Sequence, residues 1–180
     1  CSSESRGKPL RILILNYEFP PLGGGASPVA QAIARGYAAR GHSVGVVTMG
    51  FRGLPRTERR DGFDIYRVPC WRARKEICHA WELLTYVLSA TRVLGRHMMS
   101  RGYDVVHCHW LITSGVMGVL AAGPARLPVV VTAHGSDVFT SNRLFTALDR
   151  WVLRRCCACT VNSRRSGLLG RLGSGTRGLT

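Results

Sequence analysis

A chain of 180 residues that is 46% hydrophobic can enclose one full core and is too short for two domains of ordinary size. It contains no run of about 20 apolar residues to span a bilayer, and the nine residues ahead of Leu10 are too few and too polar for a secretory leader, which sets the expectation of a cytoplasmic protein. A formal charge of +15, from 25 Lys and Arg against 10 Asp and Glu, excludes an electrically neutral surface and points to a polyanionic partner.

In chain order, residues 1–9 read as a flexible segment and Ile12 to Leu15 as an apolar strand covered on both faces, as in a parallel sheet between helices. Pro20 and Pro21 then lead into Gly23, Gly24 and Gly25, where the missing Cβ atoms let backbone approach a ligand. Ser27 is placed to cap a helix with Pro28 at its first position, Val29, Ile33, Gly36 and Tyr37 as its buried stripe, and an end at Gly41. Free N–H groups and a positive helix end beside the glycines make a ready site for phosphate or carboxylate. A second strand is predicted at Ser43 to Met49, a polar loop at Gly50 to Gly62, and a third strand at Phe63 to Val68, stopped by Pro69.

The segment from Arg52 to Lys75 holds eight basic residues against three acidic ones. Next comes a long helix, about Glu76 to Ser100, with Ile77, Trp81, Leu84 and Leu88 predicted to face inward and Lys75, His79, Glu82, Tyr86, Ser89 and Arg96 outward. Tyr103 to Cys108 reads as a fourth strand, Ser114 to Ala122 as a short helix and Pro128 to Ala133 as a fifth strand. Ser141 or Asn142 caps a helix with Leu144, Leu148 and Val152 inward, and Cys157 to Val161 is a sixth strand. Strict alternation of strand and helix predicts an α/β fold: a doubly wound, mainly parallel sheet of about six strands with helices on both faces.

In such a sheet, ligands lie beyond the carboxyl ends of the strands. The ends that draw attention are Asn16 to Gly25, His107 to Trp110, His134 to Asp137, and Asn162 with Ser163. The glycine run is not G-x-G-x-x-G and no acid follows the second strand, which disfavours a nicotinamide enzyme, and no Gly-Lys-Ser/Thr follows to make a phosphate-binding P-loop. His107 lies deep in its strand and reads as structural, whereas His134 precedes Gly135, with Asp137 in reach to orient it. The pair Cys156 and Cys159 reads as part of a buried strand rather than a zinc site.

Together the stretches RILILNYEFPPLGGGAS, DVVHCHWLITSG, PVVVTAHGSDV and TVNS, in this order and at these separations, resemble the N-terminal Rossmann-like domain of family 4 retaining glycosyltransferases of the GT-B type, over about Leu10 to Ser163. The resemblance implies a second Rossmann-like domain, absent from this chain, that binds a nucleotide-sugar donor, with catalysis in the cleft between and without a cofactor or a dedicated metal cage. It places Gly23, Gly24 and Gly25 near the donor diphosphate and the acceptor, His134 near the transferred sugar with Asp137 supporting it, and Asn162 and Ser163 along the same cleft. His109, Gly135 and Ser136 complete the candidate substrate-binding set. A glycan or lipid-linked acceptor and retention of configuration are implied, and no specific nucleic acid is expected. Residues 164–180 read as a truncated basic tail, so that this chain alone is expected to be inactive. The basic stretch 52–81, with Trp71 and Trp81, is expected to rest on an anionic membrane at its inner face. The competing readings are a metal-dependent hydrolase built on His107, His109, His134 and Asp137, and a non-catalytic basic module docking on membrane or polymer.

Overall fold

The computed structural model describes residues 8–134 and 143–161, with side chains throughout except at 96–100 and 143. The strands are β1 (Arg11–Leu15), β2 (Ser43–Met49), β3 (Thr57–Arg60), β4 (Phe63–Val68), β5 (Val105–His109), β6 (Val129–Ala133) and β7 (Ala158–Val161). The helices are α1 (Ala26–Ala39), α2 (Ala80–Arg101), α3 (Val116–Ala122) and α4 (Arg143–Leu153), and a π-helical turn, Trp110–Gly115, runs from β5 into α3. All strands join one sheet in the order β3-β4-β2-β1-β5-β6-β7. Every neighbouring pair is parallel except β3 with β4. This is the α/β, Rossmann-like arrangement expected, with one strand more than the six foreseen.

Strand β1 sits at the centre, registered against β2 from Arg11–Ser43 to Leu15–Val47 and against β5 from Ile12–Val105 to Leu15–Cys108. Its alternate residues point to opposite faces. Ile12 and Ile14 join one core with Ala30 and Ala34 of α1, while Leu13 and Leu15 join the other with Tyr86, Ala90 and Leu94 of α2, Met117 of α3 and Val152 of α4. That division explains why β1 carries no polar residue between Ile12 and Leu15.

Several expectations are corrected. The additional strand lies within the segment read as loop 50–62: Asp61 (φ 51°) and Gly62 (φ 84°) form a tight turn that folds Thr57–Arg60 back onto Phe63–Tyr66. Helix α1 begins at Ala26 with Gly25 as its cap, so Ser27 lies inside the first turn, and its buried stripe is Ala26, Ser27, Ala30 and Ala34. Val29, Ile33, Gly36 and Tyr37 flank that stripe, half-buried. In α4, Leu144 is exposed while Asp149, Val152 and Leu153 are buried. The predicted caps Ser141 and Asn142 lie outside the described residues.

The largest reversal is α2. Tyr86, Ala90 and Leu94 are fully buried, as is Glu82, while Ile77, Trp81, Leu84 and Leu88 are 50%, 52%, 59% and 57% exposed. The helix starts at Ala80 rather than Glu76 because His79 and Glu82 form a capping box, Glu82 Oε2 accepting the His79 N–H at 2.8 Å. Glu82 Oε1 also accepts the Ala73 N–H at 2.7 Å, and these two backbone donors outweigh burial and hold its carboxyl below the usual range.

Close packing of helix on sheet is testable at two glycines. A Cβ on Gly118 of α3 would collide with the buried Sγ of Cys108, whereas one on Gly95 of α2 meets open space. Gly118→Ala is expected to destabilise the fold by about 1–3 kcal/mol through overpacking. Gly95→Ala should instead stabilise it by about 0.5–1 kcal/mol. Urea denaturation of both variants checks the contrast, and equal effects would contradict the packing described.

Candidate functional site

Because β2 lies on one side of β1 and β5 on the other, the chain reverses direction across the sheet at the β1–β5 boundary, where a crevice opens beyond the carboxyl ends. Asn16 and Tyr17 follow β1 there, His109 ends β5, Trp110 begins the π turn, and His134 follows β6. Asn16 is fully buried; its N–H donates to Val47 O at 3.2 Å and its Oδ1 accepts the Glu18 N–H at 3.1 Å. The Tyr17 and Trp110 rings lie 5.5 Å apart and those of Trp110 and His134 4.8 Å, so the loops after β1, β5 and β6 meet in one aromatic contact chain. Trp110 adopts φ 78°, a left-handed conformation costly for a residue with a Cβ, and thereby turns its indole toward both neighbours.

The three histidines stack. Ring centroids are 4.9 Å apart between His107 and His109 and 5.4 Å between His109 and His134. His107 is held on both nitrogens, Nδ1 with the Tyr37 hydroxyl at 3.1 Å and Nε2 with the Thr132 hydroxyl at 2.7 Å. His109 Nδ1 meets His134 Nε2 at 3.1 Å, while His109 Nε2 is buried without a partner among the described residues. An orphaned acceptor is less costly than an orphaned N–H, which favours His109 donating from Nδ1 and leaves the proton of His134 on Nδ1. Burial lowers all three, His107 to about 4 and His109 to about 2, each helped by a neighbouring ring, and His134 by burial alone. All three are neutral at pH 7.

This arrangement disfavours the hydrolase reading. A metal ligand directs an in-plane lone pair at a shared point, whereas His107 has both nitrogens engaged by hydroxyls and His109 Nδ1 and His134 Nε2 are turned on each other. Among the described residues no group of three or more His, Cys, Asp or Glu is placed to hold a metal ion.

The glycine run is less open than its sequence suggests. The Gly23 N–H donates to Lys75 O at 2.8 Å, and the Gly24 N–H meets Glu18 Oε2 at 3.3 Å. Gly23 takes φ 91°, and a Cβ there would strike the Glu18 side chain. Burial raises the Glu18 carboxyl above its usual range. The first turn of α1, capped by Gly25, has neither an acidic residue nor a side-chain cap, so its positive end is uncompensated by the helix itself.

Of the predicted site residues, His109 and His134 are brought together, and Gly23, Gly24 and Gly25 form the rim between β1 and α1. Gly135, Ser136, Asp137, Asn162 and Ser163 lie outside the described residues. Tyr17 and Trp110 were not among the candidates; the aromatic that ends the run His107-Cys-His-Trp was the available signal.

Residues 24–169 match the model of the glycosyl transferase 4-like domain. The chain is 33% identical over 181 aligned positions to the 2-deoxystreptamine N-acetyl-D-glucosaminyltransferase of Streptomyces fradiae, which covers 86% of this chain and 41% of that protein. It is 27% identical to the alpha-monoglucosyldiacylglycerol synthase of Acholeplasma laidlawii over 71% of this chain and 30% of that one. Among solved structures, the sucrose-phosphate synthase of Thermosynechococcus elongatus superposes with a TM-score of 0.71 at 13% identity, over 94% of this chain and 47% of that one. The chain thus spans less than half the length of each of these proteins.

The histidine stack imposes a pH dependence. Unfolded histidines take up protons near pH 6.5. The folded rings refuse them down to about 4 at His107 and about 2 at His109, so the stability of the neutral stack is whole above pH 6.5 and lost as pH falls. Each ring contributes at most about 1.4 kcal/mol per pH unit. Burial lifts Asp149 to about 6, which acts in the opposite sense, so the comparison must be internal. The urea midpoint is expected to drop between pH 6.5 and 5, and less steeply in His107→Gln; identical slopes would contradict this origin.

Proposed function

The chain belongs to the family of glycosyl transferase 4-like domains, and we propose that it is the acceptor-side wall of a two-domain GT-B transferase that moves a sugar, with retention, from a nucleotide-sugar to a glycan or lipid-linked acceptor. Supporting this reading above all is the contact chain Tyr17–Trp110–His134–His109 at the topological switch, beside the start of α1, which has no side-chain cap. The donor nucleotide would be held by a second domain outside this chain. As the bond from sugar to diphosphate breaks, negative charge grows on the departing phosphate, and the α1 amino end with the glycine rim is suited to stabilise it. Glu18, already on the Gly24 N–H, would yield that donor to the phosphate. Neutral His134 is suited to hydrogen-bond a sugar hydroxyl, with Trp110 offering an apolar face for the ring and Asp137, Asn162 and Ser163 completing the cleft.

In an enzyme carrying both domains, His134→Ala is expected to lower kcat about tenfold to a thousandfold with folding preserved, the range typical of losing a preorganised polar contact. The 180-residue chain alone should transfer no sugar, since one wall cannot hold the reactants in line. Wild-type turnover in the variant would remove His134 from the site, and transfer by the single domain would overturn the two-wall reading.

A peripheral seat on an anionic membrane is part of the same proposal. Among the described residues no helix is long and apolar enough to cross a membrane. Instead α2 and the segment before it turn Ile77, Trp81, Leu84, Leu88 and Trp71 outward, with Arg74, Lys75 and Arg92 exposed around them. An apolar stripe with a basic rim suits the headgroup boundary of an acidic bilayer, each cation near the surface contributing about 1 kcal/mol. Flotation is expected with vesicles containing phosphatidylglycerol and not with phosphatidylcholine alone, and to be lost in high salt and in Trp81→Glu/Leu84→Glu. Equal flotation with both lipids would sink it.

A further inference from the structure

Beyond the carboxyl ends of β2 and β4 lies a cleft of about 520 Å³ whose wall includes Arg52, Arg56, Arg67 and Arg72 and no acidic residue. Arg67 is unusual. Its side chain is 1% exposed, and only Nη1 is engaged, with Glu58 Oε2 at 2.7 Å and Pro55 O at 3.2 Å. Its Nε and Nη2 are buried with no hydrogen-bond partner among the described residues. A guanidinium carries five donors in a planar fork, and leaving two of its nitrogens unmatched in a buried position calls for an acceptor that the described residues do not supply.

The neighbouring cations are prearranged. Arg72 is 5% exposed and tied by Nε to Arg74 O and by Nη2 to Lys75 O, both at 2.9 Å. Lys75 O also receives the Gly23 N–H, so this wall and the glycine rim are one connected structure. Arg52 and Arg56 are exposed at the mouth, and among the described residues no ion pair involves Arg52, Arg56 or Arg72. Glu58 is divided between Arg60 and Arg67, while Glu18 and Glu82, which attract Arg72 without forming an ion pair with it, are engaged by backbone N–H groups, Glu18 by that of Gly24 and Glu82 by those of Ala73 and His79. The cleft therefore keeps a surplus of positive charge that a single carboxylate would leave unmatched and a doubly charged phosphoryl group would balance.

We propose that this cleft binds a phosphoryl group carried by the acceptor. As an acceptor subsite it rests on the transferase reading; as a phosphate site it does not. The shared wall puts the phosphoryl group on the β2–β4 side of the glycine rim. The group could belong to a soluble sugar phosphate or to a lipid headgroup, because Trp71 lines the cleft and is 69% exposed beside the apolar stripe of α2.

The test is calorimetric titration of the 180-residue chain with inorganic phosphate, against acetate at matched ionic strength. Saturable binding of phosphate is expected, weakened roughly tenfold or more in Arg52→Gln/Arg56→Gln. These residues are exposed, so the variant avoids breaking the buried Arg67–Glu58 pair. Arg35→Gln/Arg40→Gln, which removes equal charge from α1 and its C-cap, should leave binding unchanged. Binding no tighter than that of acetate, or equal loss in both double variants, overturns the proposal. Flotation of Arg52→Gln/Arg56→Gln on vesicles of phosphatidic acid, a phosphomonoester, against phosphatidylglycerol, a monoanionic diester, then separates the sources: a loss on phosphatidic acid beyond that on phosphatidylglycerol assigns a lipid headgroup, and an equal change on both a soluble acceptor. No donor or turnover enters these measurements, so their failure would leave the proposed glycosyl transfer standing.

Discussion

The burial of β1 on both faces is the constraint from which the remaining architecture follows. Once Ile12 and Ile14 must be covered by one layer and Leu13 and Leu15 by another, helices are required above and below the sheet. Parallel strands can meet that requirement only through crossovers. The chain extends to one side through β2, β4 and β3, then returns to β1's other edge with β5. A crevice at that boundary is a consequence of the strand order, and it needs no specialised loop to create it.

What the sequence makes legible is this periodic part. The short, largely apolar runs at 12–15, 44–49 and 129–133 read as doubly covered strands, and the polar residues gathered at their carboxyl ends mark the edge where the proposed site lies. Illegible were the places where polar groups do structural work. The run Thr57-Glu-Arg-Arg reads as loop by composition, yet it needs only an edge position, and the Asp61-Gly62 turn supplies the reversal. Ser27 looks like a helix cap and is instead buried in the first turn. Trp110 lies at a strand end that draws attention in the sequence but is given no role there, because its place in the site rests on a backbone conformation, φ 78°, that no composition rule announces.

The polar edge has a common physical character. Asn16 Nδ2, His109 Nε2 and Trp110 Nε1 are all buried and lack partners among the described residues, although each belongs to a residue otherwise well anchored. Anchored side chains with unspent hydrogen-bonding capacity are what a preorganised site consists of, since the geometry exists before the ligand arrives. The neutral histidine stack serves the same end. In the proposed transferase, an uncharged stack would orient His134 without adding a fixed positive charge beside a neutral sugar.

The outward apolar stripe of α2 traces back to one buried carboxylate. Glu82 accepts the N–H groups of both Ala73 and His79, and this fixes the start and the rotation of the helix together. With Glu82 inside, residues at a stride of four, Tyr86, Ala90 and Leu94, must follow it inward. Trp81, Leu84 and Leu88 occupy other angles around the same cylinder and are turned to solvent. Rotating the helix to hide them would bury the stripe only by exposing Tyr86, whose hydroxyl donates to Val47 O, and by pulling Glu82 from both its donors. The apolar face is therefore not a loosely packed surface that could close on itself. It is held open by the same polar anchor that ties the 70s segment, and with it Arg72 and the arginine cleft, to the end of the sheet.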